Sequence, residues 1–127
     1  MIEQRQFHRV NLTEQCELTY QDTVHQGQLE NISLNGAVAS FAGRIPVQPG
    51  TLCLLTVYLK GETHPLRLNV EIIHSNLAMV GMRIASLDEC GQACLVGLVK
   101  SFTSEPDQLA AELERIKWHI ANYLRAS

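Results

Sequence analysis

No apolar run in this 127-residue chain approaches the roughly 20 residues that a bilayer-crossing helix needs, so membrane insertion is not expected. The opening Met1-Ile2-Glu3-Gln4-Arg5 has no apolar stretch of the secretory kind, which points to a cytoplasmic protein. A basic surplus is missing as well. Ten Lys and Arg against 13 Asp and Glu leave a net charge of -3, and the pI is about 5.9. That balance excludes a general DNA or RNA coat, which carries a basic face, so no nucleic acid polymer is expected as partner. The four cysteines (Cys16, Cys53, Cys90 and Cys94) contain no Cys-x-x-Cys pair, and the five histidines contain no His-Glu-x-x-His. All four thiols are expected to be free and buried, with no metal site. A Gly-rich phosphate loop and a nucleophile with its base are absent too, so neither an enzyme, nor catalytic residues, nor a cofactor is expected.

With 46% hydrophobic and 18% charged residues, the chain suits one globular domain with a single core. Gln15 to Tyr20 places Cys16, Leu18 and Tyr20 on one face and Glu17 and Thr19 on the other, the period-two pattern of a half-buried strand. Further strands are expected over Val24 to Ile32, Ala37 to Phe41, Leu52 to Leu59, Leu66 to His74 and Met79 to Ile84. The segment Arg44-Ile45-Pro46-Val47-Gln48-Pro49-Gly50 should be a surface loop, because two prolines and a glycine disfavour helix and central strand alike. Several short strands separated by turn signals indicate a mainly β fold, either an antiparallel barrel or a sandwich.

Helical periodicity takes over near the end. Ser86 or Asp88 would cap a helix running to about Phe102, its apolar stripe made of Leu87, Cys90, Cys94, Leu95, Leu98, Val99 and Phe102. Pro106 suits the first turn of a second helix, in which Leu109, Leu113, Ile116, Ile120 and Leu124 recur at helical spacing. That stripe either completes the core or, with Trp118 and Tyr123, offers a surface for a homodimer or an effector protein.

Two short constellations carry the chemistry. Arg5-Gln6-Phe7-His8-Arg9 holds two guanidinium groups, planar donors able to grip phosphate oxygens bidentately or to stack on a base. Asn31-Ile32-Ser33-Leu34-Asn35-Gly36 adds amides and a hydroxyl that can read a base edge. Its Gly36 frees the backbone to turn with positive φ or to approach a ligand closely. In this order the two motifs resemble the signature of PilZ domains, bacterial receptors for cyclic di-GMP: Arg, three residues, Arg, then Asp or Asn, one residue, Ser, two residues, Gly. The resemblance covers roughly residues 5 to 103, including Val80-Gly81-Met82-Arg83-Ile84.

The resemblance selects the barrel. It implies a six-stranded antiparallel PilZ-type β-barrel over residues 11–103 with its following helix, preceded by a flexible ligand-binding arm over residues 1–10. Residues 104–127 would form the additional C-terminal helix. Arg5 and Arg9 would contact the phosphates and guanine faces of cyclic di-GMP, while Asn31 and Ser33 would hydrogen-bond a guanine. Gly36 would shape the turn, and Gln4, His8 and His74 would add contacts. Phe7 and Val10 would dock the arm after binding, and the resulting ordering would relay the signal to an effector protein. Because Gln4 stands where some members carry a further arginine, one ligand per site is expected rather than an intercalated pair. Arg83 or Arg44 would have to replace that arginine in a two-ligand site, though Arg83 reads more simply as a solvent-facing structural charge. The competing reading is a PilZ-like adaptor that binds proteins and no nucleotide.

Overall fold

The computed structural model describes residues 7, 9–43, 45–76 and 78–114. Six strands form a closed antiparallel barrel: β1 (Val10–Tyr20), β2 (Thr23–Ile32), β3 (Gly36–Phe41), β4 (Leu52–Tyr58), β5 (Leu66–Asn76) and β6 (Met79–Ser86), in the spatial order β1-β2-β3-β6-β5-β4. The strand set matches the expectation. The main difference is at β1, which starts at Val10, five residues before the expected Gln15. Val10 and Leu12 are buried in the core, but the register slips between Asn11 and Glu14, and this bulge breaks the alternation by which the strand was recognised. Aliphatic side chains fill the interior, among them Leu18, Leu29, Leu55, Leu68, Val70, Ile72 and Val80, each fully buried.

Helix α1 (Glu89–Phe102) is capped by Asp88, whose Oδ1 accepts from Gly91 N at 2.7 Å. It packs against β1 and β5 through a narrower face than expected, with Gly91, Leu95 and Val99 buried. Cys90 and Phe102 are exposed, correcting their place in the apolar stripe and the expectation that Cys90 is a buried thiol. The reason is angular: Gly91, Leu95 and Val99 recur every four residues, and Cys90 stands one step off that line. Cys16 and Cys53 are buried as expected. A second helix, α2, runs over residues 106–114, with Leu109 in the core. Ile116, Trp118, Ile120, Tyr123 and Leu124 lie outside the described residues. No helix among the described residues is long and apolar enough to cross a membrane.

The proline-rich connection after β3 is irregular, as expected, but it is not purely superficial. Ile45 and Val47 are buried, and the loop is tied to β5 where Gly50 N donates to Ile72 O at 2.7 Å and Ile72 N to Thr51 O at 2.9 Å.

Candidate functional site

A second bulge builds the site. Leu29 faces inward, and strict alternation would send Asn31 inward with it; instead the register of β2 against β3 slips between Leu29 and Asn31. Ile32 consequently takes the inward position and Asn31 is brought toward the outer surface. There Asn31 Oδ1 accepts a hydrogen bond from Arg9 Nη1 at 2.9 Å, joining residues 22 apart in sequence. The two motifs therefore meet at one mouth of the barrel, and of the arginine pair Arg9 is the member seen there. Gln4, Arg5 and His8 lie outside the described residues, as does Arg44. Phe7 and Val10, expected as anchors of the arm, are both in the core.

Beyond Asn31 the chain turns on Ser33. This residue is 1% exposed, and all near partners of its hydroxyl belong to the turn itself. Its oxygen accepts from Asn35 N at 3.2 Å and from Gly36 N at 3.1 Å. Its proton has Asn35 Oδ1 at 3.0 Å and Gly36 O at 3.4 Å within reach. The backbone closes the same loop, with Ser33 N donating to Gly36 O at 2.8 Å, and Ile84 N of β6 donates to Asn35 O at 2.8 Å. Gly36 does not use a positive φ; among the described residues that conformation occurs at Gln21, Gly50 and Gly61. What excludes a side chain at Gly36 is the neighbouring strand, since a Cβ would stand 2.7 Å from Met82 O.

Strand pairing then extends the site sideways. Asn11 pairs with Asn31, Asn31 with Val38, Val38 with Gly81, and Gly81 with His74, so these residues form one lateral row across β1, β2, β3, β6 and β5. Three strand spacings separate Asn31 from His74, about 15 Å. His74 is exposed, and its ring covers Gly81. Two positions further along β6, Arg83 is paired with Gly36 across the ladder and forms an ion pair with Glu71. Arg83 is thus partly committed to a neighbouring carboxylate at the surface, in keeping with a structural charge. The covering of Gly81 by His74 was missed in the sequence, where only a glycine inside an apolar strand hints at a close approach. Among the described residues no group of three or more His, Cys, Asp or Glu side chains could hold a metal ion.

The arrangement offers a guanidinium, an amide held beside it, and an outer barrel row ending in an imidazole, a surface suited to an extended anionic ligand. Comparison with known proteins agrees with the fold. The Bacillus subtilis inhibitor of motility superposes with a TM-score of 0.63 at 18% identity, over 76% of this chain and 49% of its own. This chain therefore spans about half the length of that protein. The PilZ domain of CeSA from a cellulose-synthesizing bacterium gives a TM-score of 0.62 at 21% identity, over 74% of this chain and 96% of its own. The PilZ domain of Escherichia coli YcgR, solved with c-di-GMP, gives 0.66 at 15% identity, over 86% of this chain and 98% of its own. Among curated proteins, none matches the sequence. The family model of the PilZ domain matches residues 3–101, and the chain belongs to the PilZ domain family.

Proposed function

We propose that this chain is a receptor for cyclic di-GMP, held at the mouth where Arg9 meets Asn31. The observation that carries the reading is the 2.9 Å bond between these two residues, which unites the two halves of a motif separated in sequence. A cyclic dinucleotide brings two phosphates and two guanines. Arg5 and Arg9 supply charge-assisted bonds to phosphate and a flat cation for stacking, and Asn31 supplies an amide for a guanine edge. Ser33 and Gly36 act through the turn, holding Asn31 and Asn35 in place. His74, in the same lateral row, bounds the ligand on its far side.

The N-terminal residues fold onto the ligand, and their ordering is what a partner protein reads. Helix α1 follows β6 by two residues at the same mouth, so a change there is delivered next to the helical part of the chain. No reaction of the ligand is required. With Gln4 in place of a further arginine, one cyclic di-GMP occupies each site.

Isothermal titration calorimetry with cyclic di-GMP tests the assignment. Arg9→Ala and Arg5→Ala should each weaken binding by about tenfold to a hundredfold, because a bond to a charged group contributes about 1.5–3 kcal/mol. Equal affinity of wild type and both variants would remove these arginines from the site. No heat of binding with the wild-type chain would instead favour the adaptor reading.

A further inference from the structure

The turn that carries the second motif contains a chemical hazard. Of the six asparagines in the chain (residues 11, 31, 35, 69, 76 and 122), Asn35 is the one followed by glycine. An Asn-Gly peptide is prone to cyclise, because no Cβ on the following residue hinders its nitrogen from reaching the asparagine side chain. The fold cannot remove the hazard by changing the glycine, since a Cβ at Gly36 would stand 2.7 Å from the backbone oxygen of Met82. A reactive dipeptide is therefore imposed by strand packing at the turn that carries the second motif.

We propose that Asn35 is the site of spontaneous deamidation in this chain, and that Ser33 guards it while the turn is closed. In the reaction Gly36 N bonds to Asn35 Cγ, the Gly36 amide proton is lost, and the Cγ–Nδ2 bond breaks to release ammonia. Water then opens the cyclic imide at either carbonyl, giving aspartate or isoaspartate. Each participant is restrained in the closed turn. The nucleophile's N–H is engaged by Ser33 Oγ at 3.1 Å, and the electrophile's Oδ1 by the same hydroxyl at 3.0 Å. The Asn35 carbonyl, part of the peptide that must rotate, is held by Ile84 N at 2.8 Å. Cyclisation requires the bonds at the Gly36 N–H and at the Asn35 carbonyl to be given up together, while the bond to Oδ1 holds the side chain in the turn. A serine hydroxyl whose oxygen already accepts from both Asn35 N and Gly36 N is no base for the amide proton, so its role is restraint rather than catalysis.

The product would be damaging in two ways. Either product places a carboxylate at position 35, beside the residues that present a cation and an amide. Isoaspartate also adds a methylene to the main chain, which breaks the register by which the turn is tied to Ile84 and Gly36 to Arg83. Burial of Ser33 is thereby linked to the chemical lifetime of the site, independently of which ligand the site takes.

The test is mass spectrometry of the full-length chain incubated at mildly alkaline pH, with peptide mapping to locate the gain of about one mass unit. Folded wild type should retain Asn35, whereas the same chain unfolded in guanidinium chloride should convert it. Ser33→Ala, confirmed as folded by circular dichroism, should convert Asn35 at least about tenfold faster than wild type, the effect of losing a hydrogen bond or more. Should that variant fail to fold, Ser33→Cys keeps the side-chain volume close while weakening the bonds, and it should accelerate conversion to a lesser degree. Hydrogen exchange supplies an independent check, with the Gly36 amide strongly protected in wild type. Equal conversion rates in folded wild type and folded Ser33 variants, rapid exchange at Gly36, or conversion of folded wild type as fast as the unfolded chain would each overturn the proposal.

Discussion

The imidazole of His74 stands where a Cβ on Gly81 would be, its Cε1 2.7 Å from that position. Because the ring is exposed at the surface it can swing aside, so Gly81→Ala should cost less than about 1 kcal/mol of stability while displacing His74. Nuclear magnetic resonance of the imidazole should show its environment changed, and urea denaturation should show the barrel intact. If His74 bounds the ligand, Gly81→Ala and His74→Ala should weaken cyclic di-GMP binding by a similar factor; a large loss in one variant alone would contradict the shared cause.

Gly36 faces backbone rather than a movable ring. The Met82 carbonyl is fixed in the β3–β6 ladder, so Gly36→Ala should destabilise by about 1–3 kcal/mol as the strands are forced apart. Gly97, in the interior of α1, has open space where its Cβ would be, and Gly97→Ala should stabilise by about 0.5–1 kcal/mol. Thermal melting of the two variants should therefore move in opposite directions.

The bond from Arg9 to Asn31 predicts coupling between the two motifs. In a double-mutant cycle on urea stability, Arg9→Ala and Asn31→Ala should be non-additive by about 0.5–1.5 kcal/mol, the value of a partly exposed bond to a charged group. Strict additivity would mean that the contact is not maintained in solution.

Burial raises the Cys16 thiol to about 12 from its ordinary 9.0, with the carboxylates of Glu17 and Glu30 adding to the effect. The unfolded chain ionises this thiol first, so the contribution is present in full below the ordinary value and is lost as pH rises from about 9 towards 12. Urea midpoints followed from neutral to alkaline pH should fall more steeply for wild type than for Cys16→Ala, even though the variant starts about 1 kcal/mol less stable. Thiol titration of the folded chain should modify the exposed Cys90 early and Cys16 last.

Much of this was readable in the residues, and the exceptions share a cause. Six strands and the capped helix follow from apolar periodicity, which records burial directly: Leu66, Leu68, Val70 and Ile72 alternate because every second residue of β5 enters the core. The N-terminal half of β1 was missed because a bulge shifts the phase at Asn11–Glu14, and periodicity has no signal for an inserted residue. Asn31 and Ser33 could be named from the motif, but not that one comes outward and the other is buried, since this depends on a second bulge and on the turn's internal bonds. Burial of Ile45 and Val47 was hidden by the prolines around them, which mark irregular backbone and say nothing about depth. The row from Asn31 to His74 depends on the register of three pairings, and the middle one, Val38 with Gly81, joins strands far apart in sequence.

Closure of the barrel restricts how any partner can engage this domain. Each of the six strands has a hydrogen-bonded neighbour on both sides, β4 returning to β1. Among the described residues the paired middle of each strand leaves no free row of main-chain donors and acceptors, so a peptide or a second copy has little edge on which to add a strand. On the closed wall recognition falls to side chains, and substitution of exposed residues can change the choice of partner while the barrel that presents them stays the same.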